Sequence, residues 1–222
     1  MNNSLQEYII QTYRKRAANY DFTANLYYLF GYREWAYRRM SVKALKLKPG
    51  DTVLELACGT GINFPLFQRY IGPTGRIIGV DLTDAMLEQA KKRVASQGWK
   101  NVTLIQHDAS TYQLPHQMNA VFSSFAFSLF PDTKQVLKNI ANSLVPGGRL
   151  ALIELQVPKF WPSWIVSVAK ALMKPFAVTD EWVARRPWET IRSAINEEFD
   201  NVEVTERFFG LTYIISGEKS AS

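Results

Sequence analysis

The chain has 222 residues, 47% hydrophobic and 21% charged, with a net charge of +6. That is room for one α/β domain with a full core and a short extra segment, and the charge fits an anionic surface or substrate without demanding one. A single cysteine, Cys58, excludes an intramolecular disulfide framework and fits a reducing compartment; two histidines leave little for a zinc site; no run reaches the length of a membrane span.

The opening "MNNSLQEYIIQTYRKRAANY" is polar and helical in pattern, so it is expected not to be a signal peptide. Residues 1–48 hold seven of the ten tyrosines and are expected to form a helical cap, with helices near 4–19 and 33–46. "KPGD" marks a turn. From residue 51 to 156 strands and helices alternate. "TVLELA" is followed by a helix in "NFPLFQRYI", and "GRIIGVD" by one in "TDAMLEQAKKRVASQG" that Thr83 or Asp84 can cap. "VTLIQHD" is a third strand and "AVFSSFA" a fourth. "DTKQVLKNIANSLVPGG" reads as a helix ending at glycine, and "RLALIEL" as a fifth strand. Residues 157–190 interrupt the rhythm as a helical insertion. Residues 191–222 supply a last helix and two adjacent strands bending near Gly210. The pattern predicts an α/β fold. Its sheet is Rossmann-like, doubly wound, seven-stranded and mostly parallel, closed by an antiparallel hairpin, with residues 49–156 as the ligand-binding core of one domain overall.

Three features meet at the carboxyl edge of that sheet. The first strand runs into Ala57-x-Gly59-x-Gly61, whose small residues let the backbone approach a ligand. The second ends in Asp81, which can accept from ribose hydroxyls, and the third in Asp108. Taken singly, the loop is a tight turn, Asp81 a helix cap and Asp108 a turn starter. Together, in this order, they point to a nucleoside. The spacing is not the G-x-G-x-x-G of a dinucleotide site, and the Gly-Lys-Ser/Thr of a phosphate loop is absent. Glu55, two residues before the loop, would repel a pyrophosphate and tolerate a cation such as a sulfonium. Cys58 is most simply a small apolar residue of the turn. His107 is expected to point away from Asp108, and His116 sits in a polar loop.

"VLELACGTG", "IIGVDLTDAMLEQAKKR", "HDA" and "LVPGGRL" resemble the successive motifs of the class I S-adenosylmethionine-dependent methyltransferases. The resemblance implies S-adenosylmethionine as cofactor. It sets the backbone of Ala57, Gly59 and Gly61 against the methionine part, with Glu55 ordering the loop or reaching the amino group through water. Asp81 takes the ribose, Leu82 and Met86 flank the adenine, Asp108 and the Ala109 backbone meet its N6 edge, and the fourth strand at Ser123–Ala126, with Ser124, passes the sulfonium. Ala57 departs from the family's usual glycine. The preface "YDFTANLYYLFGYREWAYRR" is similar to that of quinone-biosynthesis and phospholipid N-methyltransferases. "FSSFAFSLFPD", "ARRPW" and "TYIISGEK" look like the enzymes that methylate lipid headgroup amines.

The expected activity is methyl transfer to a small or amphiphilic acceptor, preferably an amine such as a lipid headgroup. The alternative is C- or O-methylation of a quinone-like or other apolar molecule. A non-catalytic cofactor-binding module and a nucleic-acid-binding module carry less weight, and no nucleic acid or metal is expected. Tyr20, Tyr27, Tyr28 and Tyr213 are candidates to hold a methylated ammonium by cation–π attraction, against the plainer reading that they pack the cap on the sheet. In the segment 157–176, Trp161, Trp164, Ile165, Val168 and Leu172 fall on one helical face, with Ser163, Ser167, Lys170 and Lys174 on the other. Two readings stand: a lid resting on an anionic membrane through residues 160–176, or a helix packed over the sheet edge. The expected location is cytoplasmic, with membrane association under the first reading.

Overall fold

A computed structural model describes residues 3–17, 31–173 and 178–220. Helix α1 (Asn3–Arg16) and helix α2 (Glu34–Ala44) precede a seven-stranded sheet ordered β3-β2-β1-β4-β5-β7-β6. The strands are β1 (Thr52–Leu56), β2 (Arg76–Asp81), β3 (Val102–Gln106), β4 (Met118–Ser124), β5 (Leu144–Leu155), β6 (Asp200–Arg207) and β7 (Thr212–Glu218). The first five are parallel. β7 inserts antiparallel between β5 and β6, pairing Leu152 with Ile215. Helices α3 (Phe64–Ile71) and α4 (Asp84–Ser96) link β1 to β2 and β2 to β3, and α5 (Thr133–Ser143) leads into β5. Helices α6 (Ser163–Met173), α7 (Asp180–Arg185) and α8 (Pro187–Glu198) fill the stretch before β6.

Strand alternation sorts the core into two layers. Leu54, Leu56, Leu152 and Tyr213 face the layer that holds Ile191 and Ile195 of α8; Val53, Phe122, Ala151 and Ile214 face the layer that holds Val42 of α2 and Phe67 of α3. Glu55 shares Val53's parity and therefore points toward α2 and α3. The order reverses beside β1, between β2 and β4, and opens a crevice at the carboxyl edge there, where open α/β sheets take ligands.

Three local readings of the sequence are corrected. The helix through "DTKQVLKNIANSLVPGG" stops at Ser143, not at the glycines. Leu144 already pairs with Met118, and the ladder resumes at Arg149 beside Ala120, so Val145–Gly148 bulge out of the strand. Thr83 occupies the N-cap of α4 without a side-chain cap bond. The stripe assigned to the insertion does not share one face. Trp161 precedes α6 and packs on the core, which sets the helix phase with Val166 and Ala169 inward over a cavity of about 330 Å³. Trp164 and Val168, half a turn away, are 68% and 55% exposed, beside Phe160 at 72%. Leu172 and Lys174 lie outside the residues whose side chains are described. Among the described residues no helix is long and apolar enough to cross a membrane.

Candidate active site

The loop after β1 is built from alternating left-handed residues. Ala57, Gly59 and Gly61 have φ of +54°, +56° and +69°. This winding turns the Gly59 amide onto Asp81 Oδ2 at 2.8 Å, while Asp81 Oδ1 accepts from the Thr83 amide at 2.8 Å. The carboxylate at the end of β2 thus straps the loop of β1 to the start of α4. Burial pushes the Asp81 carboxyl up, and the two amides pull it back. Asp108 Oδ1 accepts from the amide and hydroxyl of Ser110 at 2.9 and 2.7 Å, so it starts a turn and also lines the crevice.

The crevice is an open cleft with a mostly apolar lining. Ala57, Gly59, Asp81, Leu82, Met86, Asp108, Ala109 and Ser124 all border it, as a cofactor site built from these positions requires. Sequence reasoning reached the opposite wall only as far as Ala126 and missed Leu129 and Phe130. Phe125, Ala126, Leu129 and Phe130 close that side, and Tyr13 of α1 and Thr83 complete the lining. The signal was present in "FSSFAFSLF": a 3₁₀ turn at Phe127–Leu129 carries the chain back past the strand end. Phe125 holds φ +56°, a conformation that a bulky residue adopts only under local constraint. The constraint is Glu154 at the end of β5, whose Oε1 accepts from the Ala126 and Phe127 amides at 2.9 and 2.7 Å. Burial raises the Glu154 carboxyl to about 7.

Other predicted residues stand away from the crevice. Gly61 is a packing position, where a Cβ would meet the Phe64 ring at 2.5 Å. Glu55 is fully buried below the loop. Its Oε1 accepts from Asn63 Nδ2 at 2.6 Å, its Oε2 has no hydrogen-bond partner among the described residues, and burial lifts the carboxyl to about 8. Strand alternation aims it toward α3, beneath the loop. Tyr213 is fully buried on the α8 side of the sheet, under Arg192 at 4.9 Å, and does not reach the crevice. Tyr20, Tyr27 and Tyr28 lie outside the described residues. Cys58 is buried, and burial raises its thiol. His107 and His116 are exposed and off the crevice.

Beneath the wall runs a polar network that joins four distant parts of the chain. Arg38 of α2 is 2% exposed. It pairs with Glu34 at 2.7 Å, and its Nη1 donates to Asn63 Oδ1 at 3.1 Å and Ser124 Oγ at 2.9 Å. Asn63 Nδ2 donates to Glu55 and, at 3.1 Å, to Ser124. Asn63 sits at the N-cap of α3 yet makes no cap bond, because its amide is committed here. The guanidinium also lies 5.1 Å from the Phe125 ring centre, in cation–π range.

This donor set selects among ligands. Among the described residues no lysine or arginine lines the crevice, and two carboxylates do, so a pyrophosphate is disfavoured. A phosphate-free nucleoside with a cationic sulfonium fits. Asp81 and Asp108 offer acceptors for its hydroxyls and amino group, and Leu82, Met86 and Ala109 offer apolar surface for a base.

Residues 53–148 match the model of a family described as "Methyltransferase domain". A demethylmenaquinone methyltransferase of Lactobacillus johnsonii is 35% identical over 144 residues, which are 64% of this chain and 58% of that protein. The match therefore spans less than two thirds of that relative's length. Two solved structures share the fold. A SAM-dependent methyltransferase from Aquifex aeolicus has a TM-score of 0.60 at 19% identity, over 82% of this chain and 89% of that one. Haemonchus contortus phosphoethanolamine N-methyltransferase 2, solved with phosphomonomethylethanolamine and S-adenosylhomocysteine, has a TM-score of 0.66 at 17% identity, over 84% and 53%.

Proposed function

From the premise that residues 53–148 form a methyltransferase domain of the class I S-adenosylmethionine-dependent type, we propose that the chain transfers a methyl group to an apolar, oxygen-bearing ring of the hydroquinone class. The observation that carries this reading is the apolar crevice wall of Phe125, Ala126, Leu129 and Phe130, with the Ser124 hydroxyl at its margin. The demethylmenaquinone methyltransferase likeness supports it. An amine acceptor, preferred from sequence alone, has less support. The Phe125 ring is already engaged by Arg38, and Tyr213, offered as an ammonium binder, is buried away from the crevice.

S-adenosylmethionine supplies a methyl already activated by its sulfonium, so the protein's task is mainly positioning. Asp81 holds the loop and start of α4 around the nucleoside, Leu82 and Met86 cover its base, and Glu154 fixes the turn that shapes the acceptor wall. The test is an acceptor screen with methyl-labelled cofactor. A naphthohydroquinone should be methylated on carbon, and ethanolamine headgroups, free or in lipid, should not. Labelling of the amine alone would overturn the assignment.

Peripheral contact with an anionic membrane is part of the same reading. It is supported by the outward-facing Phe160, Trp164 and Val168, with Lys159 alongside on a chain of net charge +6. Such a contact would bring an amphiphilic acceptor to the protein. Trp164→Ala should reduce co-sedimentation with phosphatidylglycerol vesicles several-fold; unchanged sedimentation argues against membrane contact.

A further inference from the structure

We propose that the Ser124 hydroxyl is the specificity-determining donor of the site, holding the acceptor's ring oxygen as an oxyanion. The inference rests on the methyl-transfer reading above and follows from counting protons and lone pairs. A serine hydroxyl has one hydrogen to give and two lone pairs to receive. Both lone pairs of Ser124 are taken, one by Arg38 Nη1 at 2.9 Å and one by Asn63 Nδ2 at 3.1 Å. Chemistry fixes the Asn63 orientation, because arginine only donates. The amide oxygen must therefore face Arg38, and the amide nitrogen must face Glu55 and Ser124. The remaining Ser124 hydrogen has to leave the network. Ser124 is half-buried and borders the crevice, so that hydrogen points to the ligand side.

The neighbouring guanidinium polarises this O–H and strengthens it as a donor. An ammonium acceptor offers it no lone pair. A neutral amine offers only the lone pair that must attack the methyl group, and a hydrogen bond there would mask it. A phenol-type ring is different, since its oxygen can accept while the carbon beside it stays free to react. On binding, the phenol proton passes to solvent and Ser124 holds the phenolate. Arg38 and Asn63 act through Ser124 as positioning residues.

The test reads ionisation without turnover, so it is separable from the functional reading. Para-nitrophenol, whose phenolate is coloured, is titrated into the protein saturated with S-adenosylhomocysteine at a pH where the free probe is mostly protonated. Wild-type protein should raise the bound phenolate fraction. Ser124→Ala should weaken phenolate binding roughly 10- to 100-fold, the loss of one hydrogen bond to a charged group. Ser124→Thr, which keeps the hydroxyl, should restore it, each protein being compared at its own saturating S-adenosylhomocysteine. Equal phenolate binding by wild type and Ser124→Ala would overturn the proposal. So would a Ser124→Ala loss confined to S-adenosylhomocysteine affinity, since the donor would then serve the cofactor's carboxylate. A Ser124-dependent phenolate signal in a protein that methylates no hydroquinone would remove the functional reading and leave the donor standing.

Discussion

Replacing Glu55 by glutamine tests the buried carboxyl beneath the cofactor loop. Burial lifts this group from 4.5 to about 8 in the native state, with the Asn63 hydrogen bond opposing. Below the unfolded value both states are protonated and the group contributes no pH dependence. As pH rises, the unfolded chain ionises while the native carboxyl stays neutral, so native stability is lost progressively until pH passes the folded value. Each pH unit in that window costs about 1.4 kcal/mol. The loss is about 3 kcal/mol at neutral pH and approaches about 5 kcal/mol above the folded value. Glutamine keeps the oxygen that accepts from Asn63 and cannot ionise. Urea unfolding of both proteins, followed from about pH 5 to about pH 9, should show near-equal stability at the acid end. At the alkaline end the variant should be more stable by about 2–4 kcal/mol. Glu154, lifted by burial to about 7, leaves the variant a residual slope. Parallel curves across the range would refute the burial argument.

Asp81→Asn should lower S-adenosylhomocysteine affinity about 10- to 100-fold by calorimetry, because one amide oxygen cannot accept from both the Gly59 and Thr83 amides; affinity within a factor of two would refute the strap. Ala57→Gly should stabilise the protein by about 1 kcal/mol in urea, since alanine there holds φ +54°. Gly61→Ala should do the opposite by about 2–3 kcal/mol, its new Cβ driven onto the Phe64 ring in a left-handed backbone. If both loop variants shift stability in the same direction, the backbone account of this turn is wrong.

What was readable in the sequence is what is local. Asp81 closes β2, Asp108 follows the end of β3 by two residues, and Ala57, Gly59 and Gly61 sit at a spacing that a short window reveals, so the sheet edge and its acids emerge directly. The wall of Phe125–Phe130 needed one more inference, that the chain after Ser124 turns back instead of continuing outward; Glu154, 28 residues beyond Ala126, is what turns it. Tyr213 was drawn to the site by its chemistry, but its parity in β7 places it on the α8 face. The phase of α6 hinged on where Pro162 lets the helix begin, a boundary that periodicity alone does not give. Least legible was the Arg38–Asn63–Glu55–Ser124 network. Its members share no repeat, and only the folded sheet brings them within hydrogen-bond distance.

That network also orders events during synthesis. Arg38 leaves the ribosome 86 residues ahead of Ser124, and its guanidinium stays hydrated until β4 has been made. The loop of Ala57–Gly61 is translated early, yet Asn63 cannot take its final orientation before Ser124 and Arg38 both arrive. A chain that stops short of β4 carries the loop's sequence without Ser124, one of the groups that hold Asn63 in place.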